Sequence, residues 1–132
     1  MFKPLNIKEI TVDIGLKDPF NVMHVSDTHI VRVDSRDDER KILFAAGRAQ
    51  SKAAGEHYLA EAIHYARERG MYLFHTGDLH DFVSEANLDS AASYMAEGDW
   101  FVCAGNHEYS KFVGEAKEDE IYKQDSFDAV QG

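Results

Sequence analysis

Met71-Tyr72-Leu73-Phe74-His75-Thr76-Gly77-Asp78-Leu79-His80-Asp81 is a short apolar run that stops on a glycine and then presents two carboxylates and an imidazole. A run of that length ending in a Gly-Asp turn pair reads as a buried strand. Upstream of it, Leu59, Ala62, Ile63 and Ala66 fall on one face of a helix over Glu56–Arg69, with Gly70 as its C-cap. Downstream, Ser84–Glu97 reads as a second helix with Leu88, Ala91, Ala92 and Met95 inward, and Gly98-Asp99 leads into a strand over Trp100–Ala104. Phe20–Ser26 reads as an earlier strand. Lys8–Ile14 alternates polar and apolar residues, and with turn signals at Gly15 and Asp18-Pro19 it is expected to pair with Phe20–Ser26 as an N-terminal β-hairpin. Asp34–Asp38 suits a cap for a helix starting near Asp37, and Gly47 and Gly55 are expected to weaken that helix enough to split it. A polar helix containing Ile121, Tyr122 and Phe127 is expected after Glu115. The order strand, helix, strand, helix, strand predicts an α/β fold: a mainly parallel sheet flanked by helices.

The 132 residues, 44 % of them apolar, fit a single domain over residues 1–132. There is no apolar run long enough for a membrane span and no apolar leader after Met1, so no membrane association is expected. One cysteine, Cys103, excludes an internal disulfide framework and fits a reducing, cytoplasmic setting; within Trp100–Ala104 it is expected to be a small buried residue. The formal charge of −10, with acidic residues outnumbering basic ones eleven to three from Glu85 onward, argues against nucleic acid as a partner.

Three apolar runs end in chemistry. Asp27-Thr28-His29 follows Asn21–Ser26, Gly77-Asp78-Leu79-His80-Asp81 follows Met71–Thr76, and Gly105-Asn106-His107-Glu108 follows Trp100–Ala104. Carboxylate, imidazole and amide oxygen are ligands for divalent metals, and strand ends of an α/β sheet are where such groups converge. Each motif alone is weak. Their recurrence in order, each on a strand end and separated by helix-length spacers, is not easily produced by chance.

Together these residues resemble the calcineurin-like metallophosphoesterase family, whose signature runs Asp-x-His, Gly-Asp-x-x-Asp, Gly-Asn-His-Glu and then later histidine motifs. The resemblance spans about Phe20 to Tyr109. It implies hydrolysis of a phosphate mono- or diester at two divalent ions (Mn²⁺, Fe, Zn²⁺ or Co²⁺). Asp27 and His29 would bind the first ion, Asp78 would bridge both and Asn106 would bind the second. His107 would contact the phosphate and protonate the leaving oxygen, Asp81 would orient His107 or a ligand, and Glu108 would fix its turn. Two bridged ions stand roughly 3.5–4 Å apart, which suits in-line displacement at phosphorus.

The later Gly-His-x-His and single-histidine motifs are missing, since no histidine follows His107. The chain is therefore expected to supply the N-terminal half of the site and half of the family's β-sandwich core, as a shortened chain, a proteolytic fragment or a gene remnant. Alone it would hold at most one ion weakly, with His80 as a possible substitute ligand. Its partner would be the missing C-terminal half or a second copy of the chain. The alternative function is an inactive fragment, or a metal-binding or self-associating module without catalysis. Glu61 and His64 have a helical metal-ligand spacing but lack companions and read as a solvated face. Arg32, Arg36, Arg40, Lys41, Arg48 and Lys52 admit two readings: a flap that meets substrate phosphate, or a solvated helix paired with Asp37, Asp38 and Glu39.

Overall fold

The computed structural model describes residues 3–110 and 120–131. Strand β1 (Val22–Val25) leads through helix α1 (Glu39–Glu68) to β2 (Tyr72–His75), then through α2 (Glu85–Met95) to β3 (Trp100–Val102). A 3₁₀ turn (His107–Tyr109) and α3 (Glu120–Gln131) follow. The three strands form one parallel sheet in the order β1-β2-β3, with Val22 opposite Tyr72 and Leu73 opposite Trp100. The expected α/β architecture is present.

α1 is a single helix of 30 residues, not two. Asp38 caps its start by accepting the Lys41 N–H at 2.8 Å, and Gly70, at φ +60°, ends it where a side chain would be strained. Gly47 sits on open helix surface, whereas at Gly55 an added Cβ would lie 1.7 Å from the Thr28 carbonyl oxygen. Gly55 is thus the point where α1 lies against the loop after β1, and its missing side chain brings the elements together instead of breaking the helix. Leu59, Ala62, Ile63 and Ala66 are buried as expected, and with Ile30, Leu73 and Leu79 they form the core. Each fully buried Leu or Ile there contributes about 1.5–3 kcal/mol over the exposed state.

α2 is held differently from its apolar pattern. Its buried residues are Asn87 and Ser90, while Ala92 and Met95 face outward. Polar bonds set this rotation: Asn87 accepts the Arg32 N–H at 2.8 Å and donates to the Phe82 carbonyl at 2.8 Å, while the cap Ser84 donates to the Arg32 carbonyl at 2.7 Å.

The N-terminal hairpin does not form. Lys8–Ile14 belongs to no strand, and Ile10, Val12 and Ile14 are 74, 72 and 69 % exposed. An alternating segment becomes a strand when its apolar side is buried, and the sheet face away from α1 carries no cover among the described residues. On that face Phe101 stacks on Phe74 at 4.7 Å between centroids, and Val22, Tyr72 and Phe101 are exposed. Cys103, just beyond β3, is exposed for the same reason, not buried. Residues 111–119, which include the expected start of the last helix at Glu115, lie outside the described residues. That helix runs from Glu120, and its Phe127 stacks on Tyr109.

Candidate metal centre

The pairing of β1 with β2 continues past both strands. Thr76 donates to the Val25 carbonyl at 3.0 Å, Asp27 to Gly77 at 3.1 Å, His29 to Asp78 at 3.0 Å and Ile30 to Leu79 at 2.9 Å. The first two motifs therefore lie side by side as extensions of the sheet. Among the described residues, the non-glycine residues with positive φ are Asp27 (57°), His29 (48°) and Asp78 (54°), all three of them expected metal ligands. Left-handed backbone is uncommon in non-glycine residues, Asp and His adopting it more readily than most, and it concentrates at functional sites. Here it turns three donor side chains out of the alternation of a strand.

The third motif closes against the second through two glycines. A Cβ on Gly77 would meet the Gly105 backbone at 2.8 Å, and one on Gly105 would meet Asp78 Oδ1 at 2.2 Å. Glu108, 3 % exposed, fixes this contact. Its carboxylate accepts N–H groups from Asp78 (2.9 Å), Leu79 (2.8 Å), His80 (3.3 Å) and Gly105 (2.6 Å). One buried anion thereby satisfies four backbone donors that the left-handed turn leaves without ladder partners.

Within this frame His29 Nε2 lies 3.8 Å from Asp27 Oδ1 and 3.9 Å from Asp78 Oδ2, beyond hydrogen-bonding range. His29, Asp78 and His107 each present a ligand atom within 4.8 Å of the others, and the two imidazoles meet edge to face at 4.5 Å. Imidazole nitrogen with carboxylate oxygen is a donor set for Mn²⁺, Fe, Zn²⁺ or Co²⁺. The residues present fit one ion. Among the described residues, Asp78 and Asn106 remain for a second ion, and Asn106 is exposed at the start of the 3₁₀ turn.

Behind the donors stands Asp81, with 0 % exposure. Arg48 of α1 grips it with two hydrogen bonds, Nε to Oδ2 at 2.5 Å and a terminal nitrogen to Oδ1 at 2.8 Å. His29 Nδ1 sits 3.0 Å from Asp81 Oδ1, His107 Nδ1 3.7 Å and Lys52 Nζ 3.9 Å. Burial opposes the Asp81 charge, but the Arg48 hydrogen bonds and charge outweigh it and hold the carboxyl below the usual carboxylate range. Burial first, then the Lys52 and His107 charges, push the His29 imidazole down, favouring the neutral form that binds metal. His107 Nδ1 faces the Asp81 carbonyl at 2.5 Å, so this nitrogen carries the proton and Nε2 is left for chemistry.

The structure thus brings Asp27, His29, Asp78, Asp81 and His107 into one cluster. His80 does not join it among the described residues: it is buried behind the Asp78 turn at 2 % exposure, with Nδ1 3.9 Å from Glu108 Oε1. Its ring nitrogens find no hydrogen-bond partner among the described residues, and burial lowers its pKa. Glu61 and His64 lie on the exposed face of α1, as expected, and His64 pairs with Glu68 at 3.2 Å.

The basic segment divides between its two readings. Arg32 pairs with Glu56 at 2.5 Å, Arg36 with Asp34 and Asp89 at 2.6 Å each, and Lys41 with Asp37 at 4.0 Å, while Arg48 and Lys52 reach the centre. Their i, i+4 spacing signals a shared helix face, but nothing local marks Asp81 as the carboxylate they meet. No helix among the described residues is long and apolar enough to cross a membrane. A family model described as calcineurin-like phosphoesterase matches residues 20–131. No curated protein and no solved structure matches the chain.

Proposed function

The chain belongs to the calcineurin-like phosphoesterase family, and from that membership we propose that it is a metal-dependent phosphoesterase acting on a phosphate mono- or diester, supplying the N-terminal half of a dinuclear site. The observation that carries this reading is the convergence of His29, Asp78 and His107 beside Asp27, with left-handed backbone at Asp27, His29 and Asp78. Asp27, His29 and Asp78 would hold one divalent ion, and Asp78 and Asn106 would begin the coordination of a second. Ions so held supply charge neutralisation at the phosphoryl oxygens and activation of water.

The protein's own groups account for the rest. His29 Nδ1 stands 3.0 Å from Asp81 Oδ1, and its Nε2 lies 3.8 and 3.9 Å from the Asp27 and Asp78 carboxylates. His107 is oriented twice, by its backbone N–H on Asp78 Oδ1 at 3.1 Å and by its ring on the Asp81 carbonyl. With Nδ1–H on that carbonyl, the imidazolium form of His107 would carry a second proton on Nε2 and would hand it to a leaving alkoxide, a contribution of typically ~10²–10⁴-fold in rate. The two donors that the described residues offer a second ion favour an alternative for the chain by itself: a metal-binding module without turnover. The uncovered sheet face is the surface against which the remaining half or a second copy would pack, and the single exposed cysteine is in keeping with a cytoplasmic setting.

Mn²⁺ binding, followed by the electron paramagnetic resonance signal of the free ion, is expected for the wild type and at least tenfold weaker in Asp78→Asn. Hydrolysis of p-nitrophenyl phosphate by the Mn²⁺-loaded chain, lost in the same variant, would establish catalysis by this chain. Binding without hydrolysis would favour the metal-binding module. Equal Mn²⁺ binding in wild type and Asp78→Asn would remove the site.

A further inference from the structure

Asp81 is over-supplied with positive charge. Arg48 alone meets both of its oxygens with hydrogen bonds of 2.5 and 2.8 Å, and His29 Nδ1 stands 3.0 Å from Oδ1. Lys52, one turn further along α1, brings a second full cation to the same carboxylate, yet its Nζ stops at 3.9 Å, short of a hydrogen bond. The side chain is 26 % exposed, and its ammonium donates no hydrogen bond among the described residues. The other cations of the segment are engaged elsewhere: Arg32 by Glu56, and Arg36 by Asp34 and Asp89. A lysine that has come within 4 Å of a buried carboxylate already satisfied by an arginine retains three N–H donors for another acceptor. The adjacent wall carries His29 and, through Asp81, His107.

We infer that Lys52 is a substrate-contacting residue whose ammonium binds a non-bridging phosphate oxygen at the metal centre, with Arg48 as the positioning residue that keeps Asp81 from capturing it. The division of labour follows from the chemistry of the two cations. The planar arginine fork matches a carboxylate bidentately and is static, whereas the lysine is a point charge on a flexible stem that can turn between Asp81 and an incoming anion. Sitting beside His29, it would favour anionic phosphate esters over neutral esters.

The inference rests on the phosphoesterase reading, and binding of inorganic phosphate to the Mn²⁺-loaded chain tests the two separately. Isothermal titration of phosphate into wild type, Lys52→Gln, Lys52→Arg and Lys8→Gln is the experiment, with Mn²⁺ affinity and circular dichroism measured on each. Lys52→Gln is expected to weaken phosphate binding by about tenfold or more, the scale of one charge-assisted hydrogen bond. Its Mn²⁺ affinity should stay within about twofold, and Lys52→Arg should restore most of the phosphate affinity. Lys8→Gln, which removes the same charge from an exposed position on the N-terminal segment, should bind phosphate like the wild type. Equal phosphate binding by wild type and Lys52→Gln would overturn the role of Lys52 while leaving the phosphoesterase reading intact. An equal loss in Lys8→Gln would reduce it to net charge. A wild type that takes up Mn²⁺ but no phosphate would overturn both.

Discussion

Glu108 has the heaviest structural duty of any single side chain in the centre. It follows the two motif residues given direct roles, and the resemblance assigned it only the turn. In the fold its one carboxylate receives four N–H groups from two segments, and the left-handed backbone at Asp78 depends on it. Glu108→Gln keeps the shape but replaces an anion that accepts at both oxygens with an amide that accepts at one. The expected loss is about 2–3 kcal/mol in urea unfolding, since hydrogen bonds to charged groups contribute roughly 1.5–3 kcal/mol and at least one N–H is left buried without a partner. Mn²⁺ binding should weaken with it, because Asp78 is no longer held in place. An unchanged unfolding midpoint would show that the carboxylate is not what fixes the turn. The backbone role could be read from the sequence because the acid stands in a recognisable motif; the number of donors could not, because three of them belong to residues 78–80.

Among the elements, α1 shows most plainly how a local rule and a tertiary contact can give opposite answers. Gly47 and Gly55 look alike in the sequence, and propensity counts both against the helix. In the fold Gly47 has open space around it, while Gly55 is pressed on the Thr28 carbonyl inside the first motif. Gly47→Ala is expected to stabilise the chain by about 0.5–1 kcal/mol. Gly55→Ala is expected to destabilise it by more than about 2 kcal/mol, as backbone must move to admit the methyl group. The same shift would carry Arg48 and Lys52 away from Asp81, so Mn²⁺ affinity should fall only in the second variant. Thermal unfolding and metal titration of the pair check both signs; a Gly55→Ala protein as stable as the wild type would mean that α1 does not lie against the loop. α2 teaches the same lesson in milder form, since Asn87 and Ser84 override its apolar pattern by bonding the Arg32 backbone.

At the scale of the whole molecule the imbalance between the two faces of the sheet is decisive. One face is covered by α1, with Ala91 and Tyr94 of α2 against the same core, and the other shows Val22, Tyr72 and Phe101 at 44, 44 and 52 % exposure, while the N-terminal segment exposes Ile10, Val12, Ile14, Leu16 and Phe20. Soluble monomers rarely leave such contiguous apolar surface open. Sedimentation velocity is expected to show reversible self-association that rises with protein concentration. It should strengthen with added salt, because screening weakens the repulsion between chains of net charge −10 while leaving apolar contact intact. Phe101→Ser should shift the population toward monomer. A wild type that stays monomeric at every concentration would remove the second copy as the occupant of this face.

The sequence by itself determined the order of elements, the parallel α/β plan and the placement of the three motifs on strand ends. Each of these rests on periodicity and turn chemistry written within a dozen residues, and so survives without knowledge of the rest of the chain. The tertiary structure alone decided which groups meet. Arg48 and Asp81 lie 33 residues apart, and Asp78 and Glu108 lie 30 apart. Their contact depends on strand register and on how closely α1 approaches the sheet, neither of which leaves a local mark. The hairpin failed for the complementary reason: alternation records a capacity to form a strand, but a strand forms only where another surface is present to bury its apolar side.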